Sequence, residues 1–388
     1  MPKVPEEWGN NFYKSGWKPG VDINDHTGQG EITHVGTDPN YNNKFDEILR
    51  QWGYDPKLYE IEGTVRSSSW QVQLKGGRTE TFFAFKGLVK KKRPGHDKYF
   101  QALFKQAGRK PPLKLKTHGG DTAFLFFMAD WQLGKKDYGV ENTIKRYDIA
   151  LQDAVNRIKE LRKAGVMINE IYMIGLGDLT ENCYGFYDSQ PFNIELTMIE
   201  QYALARSMIM KTIETFLPHA DKLTLAGVPG NHGEASRSQK GQVVTNRLDN
   251  TDTMHLQICE EIMKANPDRY KKVSVEVPDG FHQVLEIKGI TCGFSHGHMS
   301  SGSGNPENKI ENWWKGQMYG FLPAGECKIL ITGHYHHFRA KQQGDRTWFQ
   351  SPSLDKSLDF TARTGMWSHP GVLTFTVNKK GWDNLKIL

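Results

Sequence analysis

"TAFLFFMAD", residues 122–130, is the stretch that decides the fold. From Ala123 to Ala129 every side chain is apolar, with no alternation and no helical period, and the run stops at Asp130. A run this short, bounded by polar residues, reads as a strand buried on both faces. The same design recurs downstream. "INEIYMIGLGD" (168–178) ends in Asp178, and "KLTLAGVPGNH" (222–232) ends in Asn231 and His232. "GITCGFSHGH" (289–298) and "CKILITGHYHH" (327–337) end in histidines. Between the first three runs lie amphipathic stretches, "IKRYDIALQDAVNRIKELRKAG" (144–165), closed by Gly165, and "ELTMIEQYALARSMIMKTIETFL" (195–217). Buried strands alternating with helices predict an α/β layered sheet.

Residues 1–115 read differently and are expected to form a small N-terminal α+β domain. The first forty or so are rich in Gly, Asn, Asp and Pro and read as loop or extended arm. "NNKFDEILRQWGYDP" (42–56) predicts a short helix ended by Gly53. "LYEIEGTVRSSSWQVQLKGGRTETFFAFKGLV" (58–89) predicts a hairpin turning at Gly76-Gly77. A basic stretch follows, including Lys90, Lys91, Lys92, Arg93, Lys98, Lys105, Arg109, Lys110, Lys114 and Lys116, interrupted by Pro111 and Pro112. The linker is placed at about 106–120, and residues 120–388 form the second domain.

Composition bounds the class. The 388 residues are 37% hydrophobic and 24% charged, an ordinary globular balance. The net charge of +6 is compatible with a polyanionic partner. Cys183, Cys259, Cys292 and Cys327 show no CxxC spacing, which argues against a zinc finger and fits a reducing compartment. No apolar leader is visible in "MPKVPEEWGNN" and no run is long enough to span a bilayer. A cytoplasmic protein with no membrane partner is expected.

Open α/β sheets bind ligands at the carboxyl ends of their strands. The polar residues there are Asp130, Gln132, Asp178, Asn231, His232, His296, His334 and His336. Carboxylate and amide oxygens mixed with imidazoles suit divalent Mn, Fe or Zn. Two such ions about 4 Å apart share a bridging carboxylate and a water, whose pKa falls so that hydroxide is available at neutral pH. Singly, a strand-end Asp is more often a cap, an Asn a turn residue and a His a satisfied structural group. At the ends of several apolar runs together they are not easily explained that way.

"FMADWQLG", "GLGDLTE", "VPGNHGE", "FSHGH" and "ITGHYHH" resemble, in order and spacing, the motifs of the calcineurin-like metallophosphoesterases, over roughly residues 122–388. The resemblance implies an α/β fold, a layered αββα sandwich, with two divalent metal ions, Mn²⁺ foremost and Zn²⁺, Fe²⁺ or Mg²⁺ as alternatives. It implies that Asp130 binds the first metal, that Asp178 bridges, and that Asn231 binds the second. His296 and His334 complete the second site and His336 returns to the first. His232 points at the scissile phosphate. In the family the position two residues after the first Asp is usually His; Gln132 stands there, a neutral and weaker donor, so the first metal is expected to bind less tightly. His334 and His336, two apart, are expected to aim at one side of an extended segment while His337 points elsewhere.

Around these residues the readings are more open. His298, two residues after His296, is a pocket-lining candidate, and Glu181 and Glu234 face solvent or support a ligand. Trp131 most simply packs in the core. Arg237 and Lys240 are candidates for contacting phosphates that flank the scissile one. "GHMSSGSGNPENKIENWWKGQM" (297–318) is expected to be a mobile loop, with Trp313 and Trp314 packed on the domain or touching substrate. The implied activity is hydrolysis of a phosphate ester by metal-bound hydroxide. A DNA nuclease, resembling the Mre11/SbcD-type branch and phage-encoded members of the superfamily, is the favoured form. A phosphatase or small-molecule (cyclic nucleotide) phosphodiesterase is the alternative, and an interaction scaffold is the alternative of another class.

Overall fold

The computed structural model describes residues 13–24, 29–40, 44–74, 77–91, 117–235, 246, 248–300, 304–356, 361–362, 365 and 367–388. The chain divides into two compact units, Met1–His96 and Asp97–Leu388. Most of the linker expected at 106–120 lies outside the described residues, as does most of the basic stretch.

The first unit is an antiparallel sheet of β1 (Gly20–Asn24), β2 (Gln29–Gly36), β3 (Tyr59–Gln73) and β4 (Thr79–Lys91), in the order β1-β2-β4-β3. Helix α1 (Phe45–Gln51) buries Ile48 and Leu49 with Ile32, Phe85 and Val89. The predicted helix and hairpin are both present. The reading of the first forty residues as loop is corrected: β1 and β2 run through them. Each of these strands has a single buried aliphatic anchor in this core, Ile23 and Ile32, too sparse to show as a period. Their backbone bonds come from pairing onto the long β4.

The second unit is built on two sheets. One has β5 (Thr122–Met128), β6 (Ile168–Gly175), β7 (Lys222–Gly227) and β8 (Val273–Glu276) in parallel, extended antiparallel by β14 (Leu373–Asn378) and β15 (Gly381–Ile387). The other has the order β12-β13-β11-β10-β9, formed by β9 (His282–Ile287), β10 (Ile290–Ser295), β11 (Ile329–Thr332), β12 (Arg339–Gln343) and β13 (Arg346–Gln350). Strands β10, β11 and β13 are parallel.

Side-chain parity along β5 shows why its sequence is apolar throughout. Ala123, Leu125 and Phe127 pack between the sheets against Phe294, Ile329, Ile331 and Phe375. Phe124, Phe126 and Met128 face the other way, into a core shared with α2 (Val140–Lys163), α3 (Met198–Phe216) and α4 (Thr251–Lys264). The second sheet's outer face is covered by α6 (Pro306–Tyr319), where Ile310 and Trp314 meet Leu330 and Trp348. A four-residue helix, α5 (Pro267–Tyr270), precedes β8. The layered αββα sandwich expected from the sequence is therefore the observed architecture.

Residues 306–318 are helical rather than the expected loop. Asn305 accepts a hydrogen bond from the Asn308 amide and Pro306 occupies the first turn, so α6 starts immediately after the glycine- and serine-rich stretch. Trp314 is buried and its indole N–H donates to Ala324 O at 2.8 Å, the packing role among the two weighed for it. Among the described residues, no helix is long and apolar enough to cross a membrane.

Candidate metal centre

The parallel strands of both sheets end at the same edge, and β5, β6 and β11 are followed by unusual backbone turns. Asp130 (φ 48°), Gln132 (44°), Asp178 (54°), His334 (73°) and His336 (60°) all lie in the left-handed region. Such conformations cost about 1–3 kcal/mol each and persist where surrounding structure dictates them. Here they turn side chains back over the strand ends. The expectation that His334 and His336 sit on an extended segment is thus corrected: β11 ends at Thr332 and both histidines are left-handed. They still diverge to neighbouring positions, His334 toward Asp178 and His296, and His336 toward Asp130.

Asp178 is the hub. Its Oδ1 accepts from the His232 amide at 2.7 Å, and its Oδ2 lies 3.0 Å from His296 Nε2. His296 Nδ1 is 2.7 Å from Leu176 O, which accepts its N–H. The other nitrogen, Nε2, therefore faces Asp178 Oδ2 and, at 3.0 Å, Asn231 Oδ1. One ligand atom each from Asp178, His296 and His334 lie within 4.8 Å of one another. On the adjoining side His336 Nε2 is 3.4 Å from Asp130 Oδ1, and Asp130 accepts from the His334 amide at 3.0 Å.

Electrostatics show what the oxygens of this arrangement favour. Burial would lower the His296 pKa, but the Asp178 carboxylate outweighs it and lifts the imidazole to about 9. Burial would raise Asp178, yet His296 and His232 hold it well below the usual carboxylate range. His336 is raised the same way: burial opposes protonation and Asp130 prevails. His334, whose burial is reinforced by the neighbouring His296, is pushed down to about 2. In this state a proton on His296 supplies the positive charge that two oxygens on one nitrogen demand. A divalent cation satisfies the same demand with all three atoms as ligands, so the donor set fits one. Asp178, Asn231, His296 and His334 would hold one ion. Asp130 and His336 adjoin this group, paired with each other at 3.4 Å.

Close packing leaves little room for the backbone to shift. A Cβ on Gly230 would fall 2.2 Å from Asp178 Oδ1 and 2.3 Å from its amide nitrogen. At Gly177 (φ 86°) it would fall 2.6 Å from Gly230 Cα.

His232 is held from behind. Its Nδ1 lies 2.8 Å from Glu181 O and 3.4 Å from Glu181 Oε2, and its ring stacks on Phe186 at 4.2 Å with planes 8° apart. Glu181 is fully buried and anchored by the Tyr187 hydroxyl at 2.7 Å, so of the two roles weighed for it solvent exposure is excluded. Its burial pushes the carboxyl pKa up, against the cationic influence of His232 and Lys135. Glu234 is buried too. Trp131 packs edge-on against Tyr147 in the core. His298 sits beside the centre, its ring 5.3 Å from His296 and 6.2 Å from His334, with Phe281 edge-on at 6.1 Å. His337 turns to its own chain, Nδ1 2.8 Å from Tyr335 O. Arg237 and Lys240 lie outside the described residues.

Several positioning residues escaped the sequence reading. Asp252 accepts from the amides of Asp178 (3.0 Å), Leu179 (3.1 Å) and Gly230 (2.9 Å), clamping two site loops together. Burial, then the nearby Asp178, lift its carboxyl to about 6 against those amides. Asn250 caps α4 through the Asp252 amide and donates to Gly230 O at 2.7 Å. An Asn-x-Asp start before "MHLQICEEIM" was the available signal for the helix. Nothing in the spacing announces that the Asp faces inward. Asn182 donates to His232 O and Glu234 O, bracing the turn that carries His232.

No known family profile matches the sequence, and no curated protein matches it. Solved structures do. A predicted phosphoesterase from Streptococcus pneumoniae is 11% identical, covering 67% of this chain and 86% of its own, with a TM-score of 0.28. An archaeal phosphodiesterase is 14% identical over 68% of this chain and 99% of its own, TM-score 0.30. Vacuolar protein sorting 29 from Cryptosporidium parvum is 12% identical over 69% of this chain and 97% of its own, TM-score 0.29. At these TM-scores the likenesses are weak, and what the centre can do is read from its side chains.

Proposed function

We propose that the chain is a metal-dependent phosphoesterase, a nuclease that hydrolyses phosphodiester bonds of DNA. The observation that carries the chemistry is the convergence, from the strand ends of both sheets, of Asp178, Asn231, His296 and His334, with Asp130 and His336 adjoining and His232 alongside. When bound, divalent ions supply charge neutralisation at the phosphoryl oxygens and lower the pKa of water. Four oxygen-bearing residues, Asp130, Gln132, Asp178 and Asn231, stand beside three histidines, a mixture that favours Mn²⁺. Two ions of unequal affinity are proposed, the weaker on the Gln132 side.

His232 handles the proton. Because a carbonyl oxygen only accepts, the contact to Glu181 O puts a hydrogen on Nδ1 and leaves Nε2 to exchange a proton with the substrate. A ring that takes up a second proton at Nε2 is the form that protonates a leaving alkoxide, and Glu181 Oε2 lies 3.4 Å from its Nδ1. Protonation of the leaving oxygen matters most for poor leaving groups such as the sugar hydroxyl of a nucleic acid. The net charge of +6 and the basic residues between Lys90 and Lys116 support a polyanionic substrate.

The test is hydrolysis, with Mn²⁺, of labelled single- and double-stranded DNA, RNA, bis-p-nitrophenyl phosphate and p-nitrophenyl phosphate by the wild type, His232→Ala and Asp178→Ala. DNA and diester cleavage that both substitutions abolish is the expected result. Activity on the monoester alone removes the nuclease reading, and activity that survives Asp178→Ala removes the metal mechanism.

A further inference from the structure

The Gln132 side of the centre already holds a positive charge. Lys135 follows in the same turn, its amide bonded to Gln132 O at 3.2 Å. Its ammonium donates to Gln132 Oε1 at 3.2 Å and to Asp355 Oδ2 at 2.8 Å. The side chains are only 12% and 3% exposed, so this pair is built into the domain. Asp355 is brought there by the segment after β13, where the Ser353 hydroxyl donates to Asp130 O at 3.1 Å. The ammonium is held in place by its ion pair with the buried Asp355 carboxylate.

A divalent ion held by Asp130, Gln132 and His336 has to share the Gln132 oxygen with this ammonium and lie a few ångströms from a fixed like charge. In a partly buried site such repulsion weakens binding by about tenfold or more. The Asp178, Asn231, His296 and His334 group carries no such lysine contact in the bonds described above. We propose that Lys135 is the resident cation of the Gln132 half of the centre. Its ammonium supplies there part of the positive charge that a second divalent ion would bring, and so makes that ion's site the weak one. This inference rests on the metal-centre reading and goes beyond it by assigning the asymmetry to one side chain. Gln132 alone offers a poorer ligand; Lys135 adds a competitor for it.

Calorimetric titration of the metal-free full chain with Mn²⁺, backed by equilibrium dialysis to count bound ions, tests this without any turnover. The wild type binds one ion tightly and a second at least about tenfold more weakly. Lys135→Met narrows that gap by about tenfold or closes it, whereas Lys135→Arg, which keeps the charge, preserves it. Circular dichroism checks that each variant is folded; if Lys135→Met is not, Lys135→Gln takes its place. Two equally tight ions in the wild type overturn the inference, as does an unchanged gap in the neutral variant. A gap closed by Lys135→Arg as well also overturns it, because size rather than charge would then set the asymmetry. In each of these cases the metal centre itself stands. A wild type that binds no ion removes the metal-centre reading, and the inference with it.

Discussion

His232 Nδ1 lies between two oxygens of one residue, the carbonyl of Glu181 at 2.8 Å and its Oε2 at 3.4 Å. The carbonyl fixes the ring's tautomer and direction, while the carboxyl group is placed to act on any charge the ring acquires. The two contributions are separable because Glu181→Gln keeps the first and removes the second. This variant is expected to lose about tenfold to a hundredfold in kcat on a phosphodiester, less than the loss for His232→Ala, which removes the proposed proton donor altogether and is expected to fall about 10²–10⁴-fold. Mn²⁺ binding by Glu181→Gln should match the wild type. Equal losses for the two variants would show that Glu181 acts by holding the loop rather than by its charge.

Gln132→His replaces a neutral amide oxygen by imidazole two residues after Asp130, at the position proposed to share a metal ion with Asp130 and His336. The weaker Mn²⁺ site is expected to tighten by about tenfold, read by calorimetry, with the tighter site unchanged. Equal, tight occupancy of two sites in the wild type would remove the reason for expecting any change.

Gly230→Ala tests how little slack the centre has. The new methyl would meet Asp178 Oδ1 at 2.2 Å and the Asp178 amide at 2.3 Å, neither of which is the flexible end of a long side chain. Asp178 also receives the His232 amide and gives its own amide to Asp252, so it has nowhere to retreat. Destabilisation of about 1–3 kcal/mol by denaturant unfolding is expected, together with loss of tight Mn²⁺ binding. A variant that binds Mn²⁺ with wild-type affinity would mean that this turn relaxes freely.

Much of this architecture was legible because it obeys short-range rules. The run ending in Asp130 had to be a strand buried on both faces, and the polar residues just beyond the parallel strands of the two sheets were placed at the strand ends. Asp130, Asp178, Asn231, His296, His334 and His336 all follow from that. What was hidden depends on contacts distant in sequence. Asp252 works through the amides of Asp178, Leu179 and Gly230, and Lys135 meets Asp355 across 220 positions. Neither residue type nor spacing marks such partners. Helix α6 was obscured by the glycine- and serine-rich residues before it, although Asn305-Pro306 carried its start signal. Strands β1 and β2 have too few apolar anchors to reveal themselves without β4.

The buried ionisable groups give the metal-free protein a distinctive stability profile. His296 has its folded pKa raised to about 9, so it contributes stability that is complete below its unfolded value of ~6.5 and is lost as pH rises toward 9. His334, held down at about 2, and His255, a fully buried residue of α4 pushed by burial to about 3, behave oppositely. Both stay neutral in the fold while the unfolded chain takes up protons below ~6.5, so each lowers stability as pH falls. Asp252, raised to about 6, offsets roughly one of these between pH ~4 and 6 by binding a proton in the folded state. The balance predicts maximal stability of the chelator-treated protein near pH 6.5, declining on both sides, measured by urea unfolding across pH 5 to 9. Saturating Mn²⁺ should abolish the alkaline decline, because a liganded His296 is neutral and its stabilisation no longer depends on a proton. An alkaline slope that is the same with and without Mn²⁺ would mean that His296 does not meet the ion.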